Sequence, residues 1–107
     1  MAAQEIEPVE FKRKLDAAAD VRLIDVREPW EVAIVGLPQA LNIPLNELPQ
    51  RLSELDPKAD TVVMCHSGGR SRRACAYLVS RGFERVANLT GGIDAWTRDI
   101  DPSLPTY

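Results

Sequence analysis

Short apolar runs recur along this chain, and longer amphipathic segments separate them. The runs are rich in Val, Ile and Leu, as buried strands are, and they occupy residues 21–26, 40–44, 61–65 and 85–89, with a weaker fifth candidate at 4–7. The segments between them predict helices over 8–19, 45–55 and 71–82, and a fourth helix after Gly91 that ends before Pro102. This alternation predicts an α/β domain with a central, mostly parallel sheet of about five strands flanked by helices.

Size and composition exclude several classes of protein. A chain of 107 residues, 45% of them hydrophobic, has the size of one domain, so we expect residues 1–107 to fold as a single unit. Neither a signal-peptide pattern nor an apolar stretch of about 20 residues is present, which predicts a cytoplasmic protein with no membrane partner. The two cysteines form no C-x-x-C pair and no cluster with histidine, so we expect free thiols rather than a disulfide framework or a zinc site.

Positive charge gathers in the second half of the chain, at Arg70, Arg72, Arg73, Arg81 and Arg85. Acidic residues are mixed with these arginines and few aromatic residues lie between them, so the segment does not have the basic stripe of a nucleic-acid-binding surface. A small anion near Arg70 is one interpretation, and a solvated helix face is the other.

Cys65 stands where an apolar run ends and a helix is about to begin. The first N–H groups of a helix have no partner within it, and the helix dipole adds positive potential there, so a thiolate at this place is stabilised. Gly68 and Gly69 allow the backbone to turn so that successive N–H groups point inward. A second polar segment, "DVRE" at 25–28, also follows a strand and is predicted to reach the same edge of the sheet. The pattern predicts that Cys65 is a nucleophile.

The segment Cys65-His66-Ser67-Gly68-Gly69-Arg70-Ser71 resembles the active-site loop of rhodanese-family sulfurtransferases, in which an arginine follows the cysteine after four residues and a helix comes next. Three more segments resemble that family in the right order: "LIDVREPWE" (23–31), "LPQALNIPL" (37–45) and "NLTGGIDAW" (88–96). The C-terminal "GGIDAWTRDIDPSLPTY" is similar to rhodanese domains fused to adenylating enzymes that activate sulfur-carrier proteins. The resemblance covers nearly the whole chain and implies a rhodanese-like three-layer sandwich.

The resemblance also implies a mechanism. Cys65 would attack the outer sulfur of a donor such as thiosulfate, become a persulfide, and pass the sulfur to a thiophilic acceptor, with no metal and no organic cofactor. Arg70 would bind the sulfonate end of the donor or lock the loop. From the residues themselves, Asp25, Arg27 and Glu28 are candidates for substrate contact, but a hydrogen-bonded support shared with the loop is the favoured role. The implied partners are a small sulfur anion such as thiosulfate, and a persulfide donor or a sulfur-carrier protein. The implied substrate-binding residues are His66, Ser67, Gly68, Gly69, Arg70 and Ser71, whose amides would hold the persulfide.

Two other functions remain open at this point. Phosphatases that resemble this fold place five residues between cysteine and arginine, whereas "CHSGGR" has only four, which favours a smaller ligand than phosphate. A non-catalytic binding module is the other alternative, although such modules usually lack the cysteine. Cys75 is predicted to pack in the core with Leu78 and Val79, and Trp30 and Trp96 are expected to be core or pocket-wall aromatics.

Overall fold

The computed structural model describes residues 3–17 and 19–107. One sheet contains five strands: β1 (Gln4–Ile6), β2 (Val21–Asp25), β3 (Ala40–Asn42), β4 (Asp60–Met64) and β5 (Val86–Leu89). Their spatial order is β1-β5-β4-β2-β3, and every neighbouring pair is parallel. The parallel five-stranded sheet that the apolar runs predict is therefore confirmed, including its weakest strand.

The central strand β4 is buried on both faces, as a parallel strand covered by helices should be. Because side chains alternate along a strand, Val62 and Met64 pack into the core on one side of the sheet, while Val63 and Cys65 pack into the core on the other. The reactive cysteine candidate thus continues the alternation of the strand that carries it, and its position is fixed by the sheet.

Four helices cover the sheet: α1 (Pro8–Asp16), α2 (Pro29–Ile34), α3 (Gly69–Ser80) and α4 (Gly92–Asp99). The helices α1 and α4 pack on one face, where the rings of Phe11 and Trp96 meet edge to face at 5.7 Å. The helix α3 packs on the opposite face through Ala74, Cys75 and Leu78. This gives the three-layer arrangement. None of the helices in the described residues is long and apolar enough to cross a membrane.

The predictions of helices over 45–55, 8–19 and 71–82 each differ from the structure. The segment 45–55 forms two separate 3₁₀ turns, Leu45–Glu47 and Leu52–Glu54, rather than one helix. Pro49 lies between them and has no N–H to continue the helical hydrogen bonds, so the prediction of a helix there is wrong. The predicted helix 8–19 ends at Asp16, and residue 18 lies outside the described residues.

The short helix α2 was missed, although its sequence contains a start signal. Pro29 occupies the first helical position, and Glu28 and Glu31 form a reciprocal capping box around it. The predicted helix 71–82 begins two residues early, at Gly69, and ends at Ser80. Gly82 adopts the predicted left-handed cap with a φ of 91°.

The strand order creates a crevice at one edge of the sheet. The chain leaves β2 toward β3 on one side, but leaves β4 toward β5 on the other, so the connections diverge between the neighbouring strands β2 and β4. In open parallel sheets this switch point, at the carboxyl ends of the strands, is the usual place for a ligand. Asp25 ends β2 and Cys65 directly follows β4, so both stand at this point.

Candidate active site

The loop from β4 to α3 carries Cys65. Gly68 has a φ of 113°, in the left-handed region that residues with a side chain rarely adopt. That conformation aims its N–H back at the cysteine, where it donates to Sγ over 3.0 Å. Ser67 and Gly69, also predicted to bind substrate, are exposed on this loop. The loop therefore wraps the sulfur with backbone amides while part of it borders solvent.

The surroundings of the thiol favour its ionised form. Cys65 is only 1% exposed, and this burial raises the pKa of the thiol. Hydrogen bonds from the Ser71 hydroxyl and from the backbone amides of Ser71, Gly68 and Ser67 act in the opposite direction, and the net effect is a lowered pKa. A thiolate at this place is a stronger nucleophile than an ordinary cysteine at neutral pH.

Ser71 contributes a side chain as well as an amide. Its hydroxyl has one hydrogen and three acceptors in range: Asn88 Oδ1 at 2.5 Å, Gly68 O at 3.2 Å and Cys65 Sγ at 3.3 Å. The amide of Asn88 is oriented by its Nδ2, which donates to the Glu5 carboxylate at 3.2 Å and to Gly68 O at 3.3 Å. Because the hydroxyl can rotate, its hydrogen can serve the sulfur when the thiol ionises. Sequence analysis missed Asn88, a buried polar residue within an apolar strand.

The start of α4 fixes the loop from its other side. The N–H groups of Ile93 and Asp94 donate to the carbonyl oxygens of Cys65 and His66, at 3.0 and 3.1 Å. Gly92 has a φ of 62°, and a Cβ at this position would lie 2.5 Å from both carbonyl oxygens. The N-termini of α3 and α4 therefore meet at the loop. The first faces Cys65 Sγ, and the second binds the carbonyl oxygens of Cys65 and His66.

Arg70 is engaged by a carboxylate. Its two Nη atoms donate to Glu31 Oε1 and Oε2 at 2.6 and 2.8 Å, a bidentate pair. Hydrogen bonds from Arg70 lower the pKa of Glu31 to about 2, against the opposing effect of burial. Sequence analysis missed Glu31, although the capping box that contains it is a local signal.

Asp25 and Arg27, the predicted supporting residues, form a buried ion pair. Their side chains are 1% and 0% exposed, with a shortest distance of 2.7 Å between Arg27 Nη2 and Asp25 Oδ2. Arg27 Nη2 also donates to Val35 O at 2.8 Å, and Asn42 Nδ2 donates to the carbonyl oxygens of Asp25 and Arg27, each at 2.9 Å. The pair thereby ties the segment after β2 to α2, which carries Glu31.

Tyr107 reaches the site from the other end of the chain. Its hydroxyl donates to Glu31 Oε2 at 2.7 Å and accepts from Arg27 Nη1 at 3.0 Å. Its ring stacks on the ring of His66, with 3.9 Å between centroids and 6° between planes. His66 Nε2 lies 3.1 Å from Asp94 Oδ1, at an angle that makes no hydrogen bond. Nothing in the sequence pattern pointed to Tyr107, which stands in a proline-rich tail.

Trp30, Trp96 and Cys75 differ in whether they lie in the core or beside the site. Trp96 is buried in the core, which is one of the two positions expected for the tryptophans, whereas Trp30 is 63% exposed and so is not a core residue. It lies edge to face with Tyr107, at 6.3 Å between centroids, beside the site. Cys75 packs in the core with Leu78 and the partly buried Val79, as predicted. Within residues 3–17 and 19–107, no group of His, Cys, Asp or Glu is arranged to hold a metal ion.

Comparison with known proteins identifies the family of this arrangement. Residues 7–99 match the model of the rhodanese-like domain. A sulfurtransferase from Allochromatium vinosum is 45% identical over 94 residues, which cover 88% of each chain. An adenylyltransferase and sulfurtransferase from Arabidopsis thaliana is 36% identical over 122 residues; the match covers 99% of this chain but only 26% of that longer protein.

The fold agrees as well. The crystal structure of a rhodanese-like domain protein from Staphylococcus aureus superposes with a TM-score of 0.84 at 30% identity, covering 97% of this chain and 98% of that one. The similarity therefore extends across the sheet, the helices and the loop that carries Cys65.

Proposed function

This chain belongs to the rhodanese-like family of sulfurtransferases, and from this premise we propose that it transfers sulfur by carrying it on Cys65 as a persulfide. The observation that supports this most directly is the set of amides around Sγ, with the Gly68 N–H at 3.0 Å. These groups stabilise negative charge on the sulfur before the reaction and on the persulfide after it.

The proposed reaction has two displacements. In the first, the Cys65 thiolate attacks the outer sulfur of thiosulfate or of a persulfide. The S–S bond of the donor breaks, its electron pair leaves with sulfite or with a thiolate, and a new S–S bond joins Cys65 to the transferred sulfur. In the second, a thiophilic acceptor attacks that outer sulfur and the electron pair returns to Cys65. Charge and electrons balance in each step without an external oxidant, so the chemistry requires neither a metal nor an organic cofactor.

The proposed binding residues act through their backbone. The amides from His66 to Ser71 would hold the outer sulfur of the persulfide, a role supported by the hydrogen bonds that the amides of Ser67, Gly68 and Ser71 direct to the Cys65 sulfur. The Ser71 hydroxyl can add a further hydrogen bond, and Asn88 sets its position. Cys75 takes no part in this proposal, because it is 0% exposed in the core and burial raises the pKa of its thiol to about 12. A persulfide donor or a sulfur-carrier protein would deliver or receive the sulfur at the exposed side of the loop.

The test is the intact mass of the protein after incubation with a sulfur donor, followed by desalting. A gain of one sulfur atom, lost again on addition of cyanide with formation of thiocyanate, supports the persulfide. Release of phosphate from an aryl phosphate should be measured beside it, since a phosphatase is the competing reaction for a cysteine and arginine loop. Phosphate release without a sulfur adduct would overturn the assignment, and neither activity would indicate a binding module.

A further inference from the structure

The charges of the two site arginines are already matched. Arg70 gives both Nη groups to Glu31, at 2.6 and 2.8 Å, and Arg27 is paired with Asp25 at 2.7 Å. Each pair is a cation and an anion in direct contact, so together they present no net charge to a ligand that approaches Cys65. An anionic ligand would have to compete with a carboxylate for Arg70.

Glu31 is held in place by more than Arg70. It accepts from the Tyr107 hydroxyl at 2.7 Å and from the Glu28 N–H at 3.1 Å, and its side chain is only 5% exposed. Tyr107 in turn accepts from Arg27, which makes it the bridge between the two ion pairs. A carboxylate with this many donors is ionised and fixed, and turning it away from Arg70 would leave a buried charge with fewer partners.

Aromatic side chains lie beside this charge-matched region. We use the name aromatic rim for Trp30, His66 and Tyr107, of which Tyr107 stacks on His66 and meets Trp30 edge to face. Trp30 is 63% exposed and Tyr107 36% exposed. The ring faces of such a rim remove water from an approaching ion without replacing its hydrogen bonds, which costs more for a dianion than for a group of lower charge.

We propose that Glu31, held by Tyr107, is a specificity-determining residue that occupies Arg70 and so makes the site favour organic persulfides over thiosulfate as sulfur donors. This inference rests on the proposed function. The loop amides act on the outer sulfur, which both donors have, so they do not distinguish between them. The donors differ in what remains on that sulfur: a sulfonate group in thiosulfate, and a carbon-bound sulfur in an organic persulfide.

The leaving groups differ in the same way. From thiosulfate, the broken S–S bond leaves its electron pair on sulfite, which departs as a dianion. From an organic persulfide the pair stays on a thiolate with a single negative charge, which can take up a proton from solvent. With both Nη groups of Arg70 bound to Glu31, this arginine is not free to receive sulfite, whereas the thiolate does not need it.

The experiment compares rates of persulfide formation on Cys65 with two donors, thiosulfate and 2-hydroxyethyl persulfide, which has no sulfonate. The wild-type protein should have the higher second-order rate constant with 2-hydroxyethyl persulfide. In Glu31→Gln, which keeps the shape and a hydrogen-bond acceptor but removes the charge, the ratio of thiosulfate to persulfide rate constants should rise by roughly tenfold. The matched control is Arg73→Ala, which removes an exposed arginine one turn further along α3 and should leave the ratio within about twofold of wild type.

Salt dependence provides a readout that does not depend on the variant's stability. Thiosulfate loading of the wild type should change little with ionic strength, whereas in Glu31→Gln it should slow as salt screens the released charge of Arg70. Tyr107→Phe, which removes only the bridging hydroxyl, should shift the ratio in the same direction by a smaller factor.

The outcomes separate this inference from the proposed function. Absence of a sulfur adduct from both donors would defeat the proposed function itself. Adduct formation with thiosulfate as the better wild-type donor, or a donor ratio that neither Glu31→Gln nor Tyr107→Phe changes, would defeat only the role of Glu31. A ratio that moves instead in Arg73→Ala would assign anion recognition to that arginine.

Discussion

Cys65 and Cys75 stand ten residues apart in one strand-helix unit, and both are almost fully buried, at 1% and 0% exposure. Their thiols nevertheless respond in opposite ways. The pKa of Cys65 is raised by burial but lowered overall by the Ser71 hydroxyl and by loop amides. The pKa of Cys75 is raised to about 12 by burial, with the charges of Glu5 and Cys65 adding to the effect. Burial alone therefore does not decide whether a cysteine is reactive; the hydrogen-bond donors that face its sulfur do.

The largest expected effect comes from removing the sulfur that faces these donors. Cys65→Ser should abolish both the sulfur adduct and turnover, because a hydroxyl cannot carry a transferable sulfur at neutral pH. Serine has a similar volume and can accept the same Gly68 N–H, so the melting temperature should stay close to that of wild type. Intact mass and thermal melts measure both effects. An adduct that persists in Cys65→Ser would contradict the contrast between the two cysteines.

The next largest effect tests whether the reactivity of Cys65, in contrast to Cys75, depends on the geometry of its loop. In Gly92→Ala the new Cβ meets the carbonyl oxygens of Cys65 and His66, and the residue is strained at a φ of 62°. We expect the loop to shift, sulfur loading to slow at least a hundredfold, and the free energy of unfolding to fall by about 2–4 kcal/mol.

Gly82→Ala is the matched control for this variant. It also places a side chain at positive φ, 91°, but in open space and at the far end of α3. It should lose about 1 kcal/mol of stability and keep its loading rate. Equal losses of loading in both variants would show that general instability, rather than the position of the loop amides, controls the reaction.

The sequence predicted the parts of the site that are local to Cys65 better than the parts that come from distant segments. Cys65 and its loop were predicted as the site because strand, cysteine, glycines and helix follow one another, so the amides that face the sulfur are local in sequence. Glu31 and Asn88 reach the loop from other strands and helices, and Tyr107 from the tail. Their contacts depend on the strand order β5-β4-β2, which places distant segments side by side. The prediction of a helix over 45–55 was wrong for a local reason, because Pro49 interrupts the helical hydrogen bonds despite the amphipathic pattern of the segment.

A smaller effect isolates the side-chain donor from the backbone donors. Ser71→Ala removes the hydroxyl that lies 3.3 Å from Cys65 Sγ but keeps its amide. A hydrogen bond to a charged group contributes about 1.5–3 kcal/mol, so alkylation of Cys65 by iodoacetamide at pH 7 should slow roughly tenfold. The midpoint of the pH profile should move to higher pH, because the thiolate loses a stabilising donor. An unchanged midpoint with a lower plateau would indicate restricted access instead.

The smallest effect on chemistry, and a distinct effect on stability, is expected at the other cysteine. Cys75→Ser should load sulfur at the wild-type rate. A hydroxyl buried without a partner lowers the free energy of unfolding by about 1–3 kcal/mol, and a hydrogen bond to the carbonyl four residues earlier in α3 can offset part of this loss.

The stability effect should also depend on pH. Because the folded state raises the pKa of Cys75 from 9.0 to about 12, this thiol stabilises the fold below pH 9, and that contribution is lost as the pH rises toward 12. Serine does not titrate in this range, so the stability difference between wild type and Cys75→Ser should be largest near neutral pH and should narrow between pH 9 and 11. Urea unfolding across that range measures the difference. If Cys75→Ser stays folded and loses turnover, Cys75 takes part in sulfur transfer and the division of roles between the two cysteines is wrong.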